Sequence, residues 1–261
     1  MVIDLHTHMM LSKTFEFNEA RVGRYVRMAS LLGLRAIALT EHLHAYDYFE
    51  VHKYMAKKFN LEGGIYNVSD KFAFIPGVEI SVVEGGDILA IGPYDHIKII
   101  AKRLNMPPLT GYKPRFEELL NAKDGLDLIF IGAHMFRAEK SLEKFSPSLL
   151  KKLDAVEANG KDYGLEYRLV RKANDLDLAV TGGSDAHHWL QLGVRATLVP
   201  DCRLNLESLQ RAILEQKTTY WCGKYPAVKV YFSKRIKRTV KALKKPKNQG
   251  YGTLISSFGE V

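Results

Sequence analysis

Short apolar runs alternate along the chain with longer stretches in which apolar residues recur every three or four positions. The runs VIDL, RAIALT, FAFIPGVEISV, DILAIG, LDLIFIGAH, LDAVEANG, DLAVTGG, RATLVP and TTYWCG read as strands. Helical patterns lie between several of them. RVGRYVRMASLL is capped by Asn18 and stopped near Gly33, a polar, aromatic stretch surrounds Tyr54, and RFEELLNA and LESLQRAILEQ are amphipathic. Strands that are apolar almost throughout are covered on both faces, which predicts a parallel sheet between helical layers. Some seven or eight such units in 261 residues predict an α/β fold, a distorted (β/α)7-type barrel.

The polar residues that end these runs carry the chemistry. The first strand finishes in His6 and His8, which alternation turns to one face. RAIALT is followed by Glu41 and His42, and FAFIPGV runs into Glu79. Asp87 opens the next strand. His134 follows LDLIFIGA, Glu157 and Asn159 follow LDAV, and Ser184, Asp185 and His187 follow DLAVTGG. In α/β barrels the active site sits where strands end, so an ordered series of His, Glu and Asp there points to one site. Histidine and carboxylate without thiolate suit Zn, Mn or Fe ions rather than a structural zinc site. The set exceeds what one four-coordinate ion needs, and Glu79 and Asp185 are the natural bridges. Two or three divalent ions held a few ångströms apart would generate hydroxide near neutral pH and clamp a phosphoryl group.

Composition narrows the class. No apolar run spans a membrane, and no signal peptide is visible, so a cytoplasmic location is expected. Cys202 and Cys222 form no metal or redox spacing. The net charge of +9 is concentrated at one end: Lys224 to Lys247 hold ten Lys or Arg and no acid, and the remainder is near neutral. The reading therefore divides the chain into a barrel domain, residues 1–223, and a basic C-terminal helix and tail, 224–261, packed on it. Val230, Ile236, Val240 and Leu243 form an apolar face in that helix, and Pro246 stops it. Weak, salt-sensitive nucleic-acid binding through 231–249 is expected of the segment. His44, His52 and His96 read as surface or loop residues.

The stretches DLHTH, ALTEH, PGVEIS, GDILAIG, GAHMFR, VEANG and GGSDAH resemble, in order, the PHP family, the polymerase and histidinol phosphatase domains. The resemblance implies a distorted barrel of about seven β/α units that binds up to three divalent ions, and in many members a phosphoesterase. It implies that His6, His8, Glu79 and Asp185 hold one ion with Glu79 bridging, that His134 serves a second, and that His42 and His187 serve a third. Asp87 stands where many members have histidine and is a candidate oxygen ligand. Glu41 is expected to orient His42 or its neighbour. Arg137, three residues after His134, would grip phosphate oxygens. Lys13 and Thr14 stand where members place an Asp or His ligand of the third ion, so that ion is weak, absent or completed by water, and Lys13 is a candidate phosphate ligand. His188 is a candidate for lining the pocket.

The expected activity is hydrolysis of a small phosphate monoester by a metal-bridging hydroxide, with Arg137, His187 and Asp185 catalytic, Lys13 and His188 beside the substrate, and a nucleotide or oligonucleotide 5′-phosphate preferred. The alternatives are a nucleic-acid-binding or scaffold protein on a degenerate PHP barrel, and a histidinol phosphatase or amidohydrolase-type hydrolase.

Overall fold

The computed structural model describes residues 1–106, 112–200 and 203–243. Cys202 and the basic residues from Lys244 to Lys247, with Pro246, lie outside them. In chain order the elements are β1 (Val2–Thr7), α1 (Ala20–Leu31), β2 (Ala36–Leu39), α2 (Tyr48–Lys58), β3 (Asn60–Glu62), β4 (Ile65–Ser69), β5 (Phe72–Val82), β6 (Gly86–Ile91), α3 (Tyr94–Leu104), α4 (Phe116–Lys123), β7 (Ile129–Ala133), α5 (Pro147–Leu150), β8 (Ala155–Asn159), α6 (Glu166–Leu176), β9 (Ala179–Gly183), β10 (Arg195–Leu198), α7 (Leu206–Leu214), β11 (Thr219–Cys222) and α8 (Pro226–Leu243).

The strands form one sheet in the order β11-β10-β1-β2-β5-β6-β7-β8-β9, with the β3–β4 hairpin attached to β5. The two ends of the path meet. Thr197 Oγ1 on β10 accepts from Gly182 N and donates to Gly182 O on β9, both at 2.9 Å. A Cβ at Gly182 would collide with the Ala196 carbonyl, so glycine is what allows this approach. Beyond β9, Ala186 bridges to Thr7. The sheet is thus a nearly closed, distorted barrel.

The sheet is mixed, which departs from the expected parallel arrangement. β1–β2, β2–β5, β7–β8 and β8–β9 are parallel, whereas β5–β6, β6–β7, β1–β10 and β10–β11 are antiparallel. The cause lies in the linker after β5. Val83, Glu84 and Gly85 leave no room for a crossover helix, so the chain must turn back on itself. This reversal has a functional consequence. β6 runs opposite to its neighbours, so its first residues, not its last, lie at the end of the barrel where β5 and β7 finish. Asp87 reaches that end for this reason.

The strand interiors are apolar on both faces, and Ile3, Leu5, Ile75, Leu89 and Ile131 pack in one core group. His52, expected at the surface, is fully buried because α2 turns it inward with Val51 and Met55. On α8 the buried residues are Val230 and Ser233, while Leu243 projects into solvent rather than completing the expected apolar face. Among the described residues, no helix is long and apolar enough to cross a membrane.

Candidate metal centre

Backbone pairing brings the strand ends together. His8 N donates to Ala186 O at 2.8 Å, which fastens the end of β1 to the SDAH segment. Glu79 N donates to Glu41 O and Leu43 N to Glu79 O, so the residues after β2 continue the pairing onto β5. Asp4 is fully buried and accepts from Ser184 N at 2.9 Å and Gly193 N at 3.1 Å. Burial pushes its pKa up to about 6, against those hydrogen bonds. His134 and Asp185 both adopt left-handed φ values, 35° and 49°. Such backbone costs roughly 1 kcal/mol or more in a non-glycine residue and persists where surrounding structure over-determines it.

Glu79 is the hub. Its Oε2 faces His6 Nε2 at 3.6 Å, His8 Nε2 at 3.4 Å and His42 Nδ1 at 2.8 Å, while Oε1 faces His134 Nε2 at 3.3 Å. Asp185 Oδ1 lies 3.4 Å from both His8 Nε2 and His187 Nδ1. Asp87 Oδ2 is 3.2 Å from His134 Nε2. Among the described residues, three sets of donors lie close enough to share an ion: His6, His8 and Glu79; His8, His42 and His187; and Glu79, Asp87 and His134.

The residues fit divalent ions on two observations. His6 Nε2 and His8 Nε2 face each other at 3.2 Å, a contact that needs a proton or a cation between two lone pairs. In addition, His8 Nδ1, His42 Nδ1, Glu79 Oε2, Asp87 Oδ1 and His134 Nδ1 are buried without a hydrogen-bond partner among the described residues. Two of these, His42 Nδ1 and Glu79 Oε2, sit 2.8 Å apart yet are not aligned to bond each other.

Electrostatics supports the same geometry. Burial works against charge on Glu79, but His42, His6 and His134 outweigh it and hold the carboxyl well below its usual range. Burial likewise opposes charge on Asp185, and Lys161 and His6 overcome it. His6 is raised well above the usual histidine value, because Glu157, Glu79 and Asp185 outweigh its burial. His187 is pushed well below its ordinary value by burial and by His8, Lys161 and Lys237.

Glu157, on β8, orients the group. Its Oε1 takes the Nδ1 hydrogen of His6 at 2.8 Å, which leaves Nε2 turned toward Glu79. Its Oε2 accepts from His134 N and from Asn159 Nδ2, both at 3.0 Å. A Cβ at Gly183 would collide with both Glu157 Oε1 and His6 Cβ, so that glycine makes room for the pair. Glu41 stands against His8 Nδ1 at 3.6 Å and accepts from Met10 N, rather than turning to His42.

Cations ring the carboxylates. Arg137 donates from Nη1 to Asp185 Oδ2 at 3.1 Å and from Nη2 to Asn159 Oδ1 at 2.9 Å. Lys13 Nζ is 2.7 Å from His44 Nε2, and burial and Lys140 hold its pKa below the usual value. Thr14 is exposed. His188 caps the turn at Trp189–Gln191, its Nδ1 accepting from Leu190 N at 3.4 Å, and its ring neighbours Trp189. Two cations were not foreseen in the sequence: Lys140, bonded to Asp87, and Lys161, 2.7 Å from Asp185 Oδ2. Lys140 and Lys161 follow strands β7 and β8, but nothing in their neighbouring residues sets them apart from loop lysines.

Comparison with known proteins agrees with this architecture. Residues 168–218, from α6 through α7, match the family described as PHP-associated. No curated protein matches the sequence. Among solved structures, PsfC from Pseudomonas syringae PB-5123 has a similar fold, with a TM-score of 0.75 at 21% identity over 92% of this chain and 98% of PsfC. The lesion-specific endonuclease Q of Pyrococcus furiosus gives 0.65 at 19% identity over 84% of this chain, which spans 57% of that enzyme's length. An endonuclease Q bound to a 27-mer duplex with an abasic lesion at its active site gives 0.64 at 19% identity, over 81% of this chain and 56% of that one. At these identities the structural likeness is one of fold. The family match covers residues 168–218, and beyond it the chain shares the barrel fold of these structures.

Proposed function

We propose that the chain is a metal-dependent phosphoesterase that hydrolyses a small phosphate monoester, with a nucleotide or oligonucleotide 5′-phosphate preferred. One observation carries this reading: the two oxygens of Glu79 divide between separate histidine groups inside a ring of cations. Divalent ions held by His6, His8, His42, Glu79, Asp87, His134, Asp185 and His187 supply Lewis acidity and an activated water when bound. Arg137 presents its remaining N–H groups to the phosphoryl oxygens, with Asp185 and Asn159 fixing the guanidinium plane. Lys13 adds positive charge on the side of Asp87 and Glu79. His187, held neutral by burial and by neighbouring cations, keeps a lone pair for an ion or a proton. Asp185 holds Arg137, Lys161 and two histidines in one orientation.

The test is phosphate release from a panel of nucleotides, sugar phosphates, histidinol phosphate and 5′-phosphorylated oligonucleotides. The expected result is turnover that a chelator abolishes and that Mn, Zn or Fe restores. Full activity in a verified metal-free sample overturns the reading.

A nucleic-acid partner is supported by α8, whose residues 226–243 hold six basic side chains and no acid, with Tyr231 and Phe232 more than half exposed. Salt-sensitive binding of single-stranded nucleic acid is the expected signature.

A further inference from the structure

Two buried carboxylates of the mouth receive their cations in different ways. Asp185 divides its oxygens. Oδ2 takes Arg137 Nη1 at 3.1 Å and Lys161 Nζ at 2.7 Å, while Oδ1 faces His8 Nε2 and His187 Nδ1, each at 3.4 Å. The oxygen turned toward the histidines is thus left to an ion. Asp87 does not divide in this way. Its Oδ2 lies 3.2 Å from His134 Nε2 and also accepts from Lys140 Nζ. Its Oδ1 is buried without a hydrogen-bond partner among the described residues. At Asp87, cation and histidine share one oxygen.

The backbone brings Lys140 to that place. Asp87 pairs with Ala133 in the β6–β7 ladder, so the chain that leaves β7 starts beside it. Arg137 N donates to His134 O at 3.0 Å and Lys140 N to Arg137 O at 2.8 Å, which winds this segment in two successive turns. His134, Arg137 and Lys140, spaced three residues apart, each reach a carboxylate of the mouth. Asp87 is completely buried, and a buried carboxylate without a counter-charge is costly. Lys140 supplies that charge from the rim, where its side chain is 35% exposed.

His134 Nε2 stands 3.2 Å from Asp87 Oδ2 and 3.3 Å from Glu79 Oε1. That spacing suits donors that share an ion about 2.1 Å from each. An ion bound there claims the oxygen that Lys140 holds. An ammonium on a flexible four-carbon stem is able to withdraw to the rim.

We propose that Lys140 is a resident cation of the Glu79, Asp87 and His134 set, which occupies Asp87 Oδ2 until a divalent ion displaces it and so weakens the affinity of this set for its ion. This role rests on the metal reading of the cluster and holds whatever the substrate.

The experiment titrates Zn or Mn, whichever the native protein binds more tightly, into the metal-free full chain and follows binding by calorimetry and by competition with a chelating dye. The proteins compared are the native chain, Lys140→Met, Lys140→Gln, Lys140→Arg, Asp87→Asn, and Asp87→Asn combined with Lys140→Met. One class of ion should bind about tenfold more tightly in Lys140→Met and Lys140→Gln, the scale on which a group bonded to a metal ligand changes affinity. The two uncharged variants are independent, so either one that folds decides the outcome. Lys140→Arg keeps the charge and should match the native chain. In the Asp87→Asn background, Lys140→Met should change affinity by less than about twofold, because the contested oxygen has lost its charge.

Unchanged or weaker binding in Lys140→Met and Lys140→Gln overturns the proposal, and weaker binding makes Lys140 a support of Asp87 as ligand. Tightening that persists in full with Asp87→Asn also overturns it, for Lys140 would then act as a distant charge only. If neither the native chain nor any variant binds a divalent ion, the metal reading and the role of Lys140 fall together. If all bind ions alike, the role of Lys140 alone falls.

Discussion

Two buried histidines, His6 at the barrel mouth and His52 behind β5, behave in opposite ways. At the barrel mouth, His6 is completely buried yet raised well above the ordinary histidine value, because the charges of Glu157, Glu79 and Asp185 outweigh its desolvation. Behind β5, His52 is equally buried, and burial pushes it down to about 3. Its ring stacks on Tyr94 at 4.5 Å, its Nδ1 lies 3.4 Å from Tyr66 Oη, and Tyr48 Oη donates nearby to Gly77 O. Among the described residues no carboxylate bonds to it. Burial of a histidine therefore does not mark a site. What distinguishes the mouth is the set of carboxylates gathered around its histidines, whereas His52, whose Nε2 also lacks a hydrogen-bond partner among the described residues, faces tyrosines and backbone.

The largest expected effect breaks the mouth at its hub. Glu79→Gln removes the charge that faces His6, His8, His42 and His134. The variant should lose at least one ion per chain by elemental analysis, and phosphatase activity should fall on the order of a thousandfold or more. Asp87→Asn, whose carboxylate is shared with Lys140, should lose less metal. The reverse order of metal loss would remove Glu79 from the bridging position.

Much of this contrast was legible in the sequence, but not all of it. β5 runs from Phe72 to Val82, as the apolar run indicated, and the polar residues after each run do converge. Periodicity misses the β3–β4 hairpin because Asn60–Glu62 is short and exposed, with Leu61 as its single apolar residue, so no apolar face announces it. Only Gly63-Gly64, both at positive φ, hints at a hairpin turn. The antiparallel course of β6 follows from a three-residue linker, a length signal that an apolar pattern does not carry. His52 lacks a signal of a different kind. Nothing in YFEVHKYMAKK says that the fifth residue faces inward beside Tyr66 from another strand. Lys140 and Lys161 come to the mouth through loop geometry, which the residues flanking them do not encode.

Arg137→Ala tests whether the cations of the mouth serve the substrate or only the carboxylates. The guanidinium touches Asp185, yet the histidines and Glu79 remain to hold ions. Metal content should stay near the native value while kcat/KM falls roughly ten- to a thousandfold. Loss of metal in step with activity would instead make Arg137 a support for Asp185. A smaller effect is expected from Glu157→Gln. The amide cannot match the carboxylate that holds His6 Nδ1, so metal affinity, measured by competition with a chelating dye, should weaken about ten- to a hundredfold. Unchanged affinity would mean that backbone packing alone aims His6.

The smallest effect is the one that sharpens the other half of the comparison. A histidine free in the unfolded chain titrates near 6.5, whereas burial holds His52 at about 3 in the fold. Between these values the unfolded chain binds a proton that the folded chain does not, so acid favours unfolding. The contribution of His52 is fully present above the unfolded value and is lost as pH falls through it toward about 3. His52→Phe keeps the stack on Tyr94 and removes the titration. Denaturant unfolding in the presence of chelator, which takes metal release out of the measurement, compares the two proteins at pH 7.5 and 5.5. All other groups titrate alike in both, so the native protein should lose about 1.4 kcal/mol more than the variant over that interval. Equal losses would mean that His52 accepts a proton in the folded state. The pocket behind β5 would then have its own source of compensating charge, as His6 does, and the contrast drawn between His6 and His52 would fail.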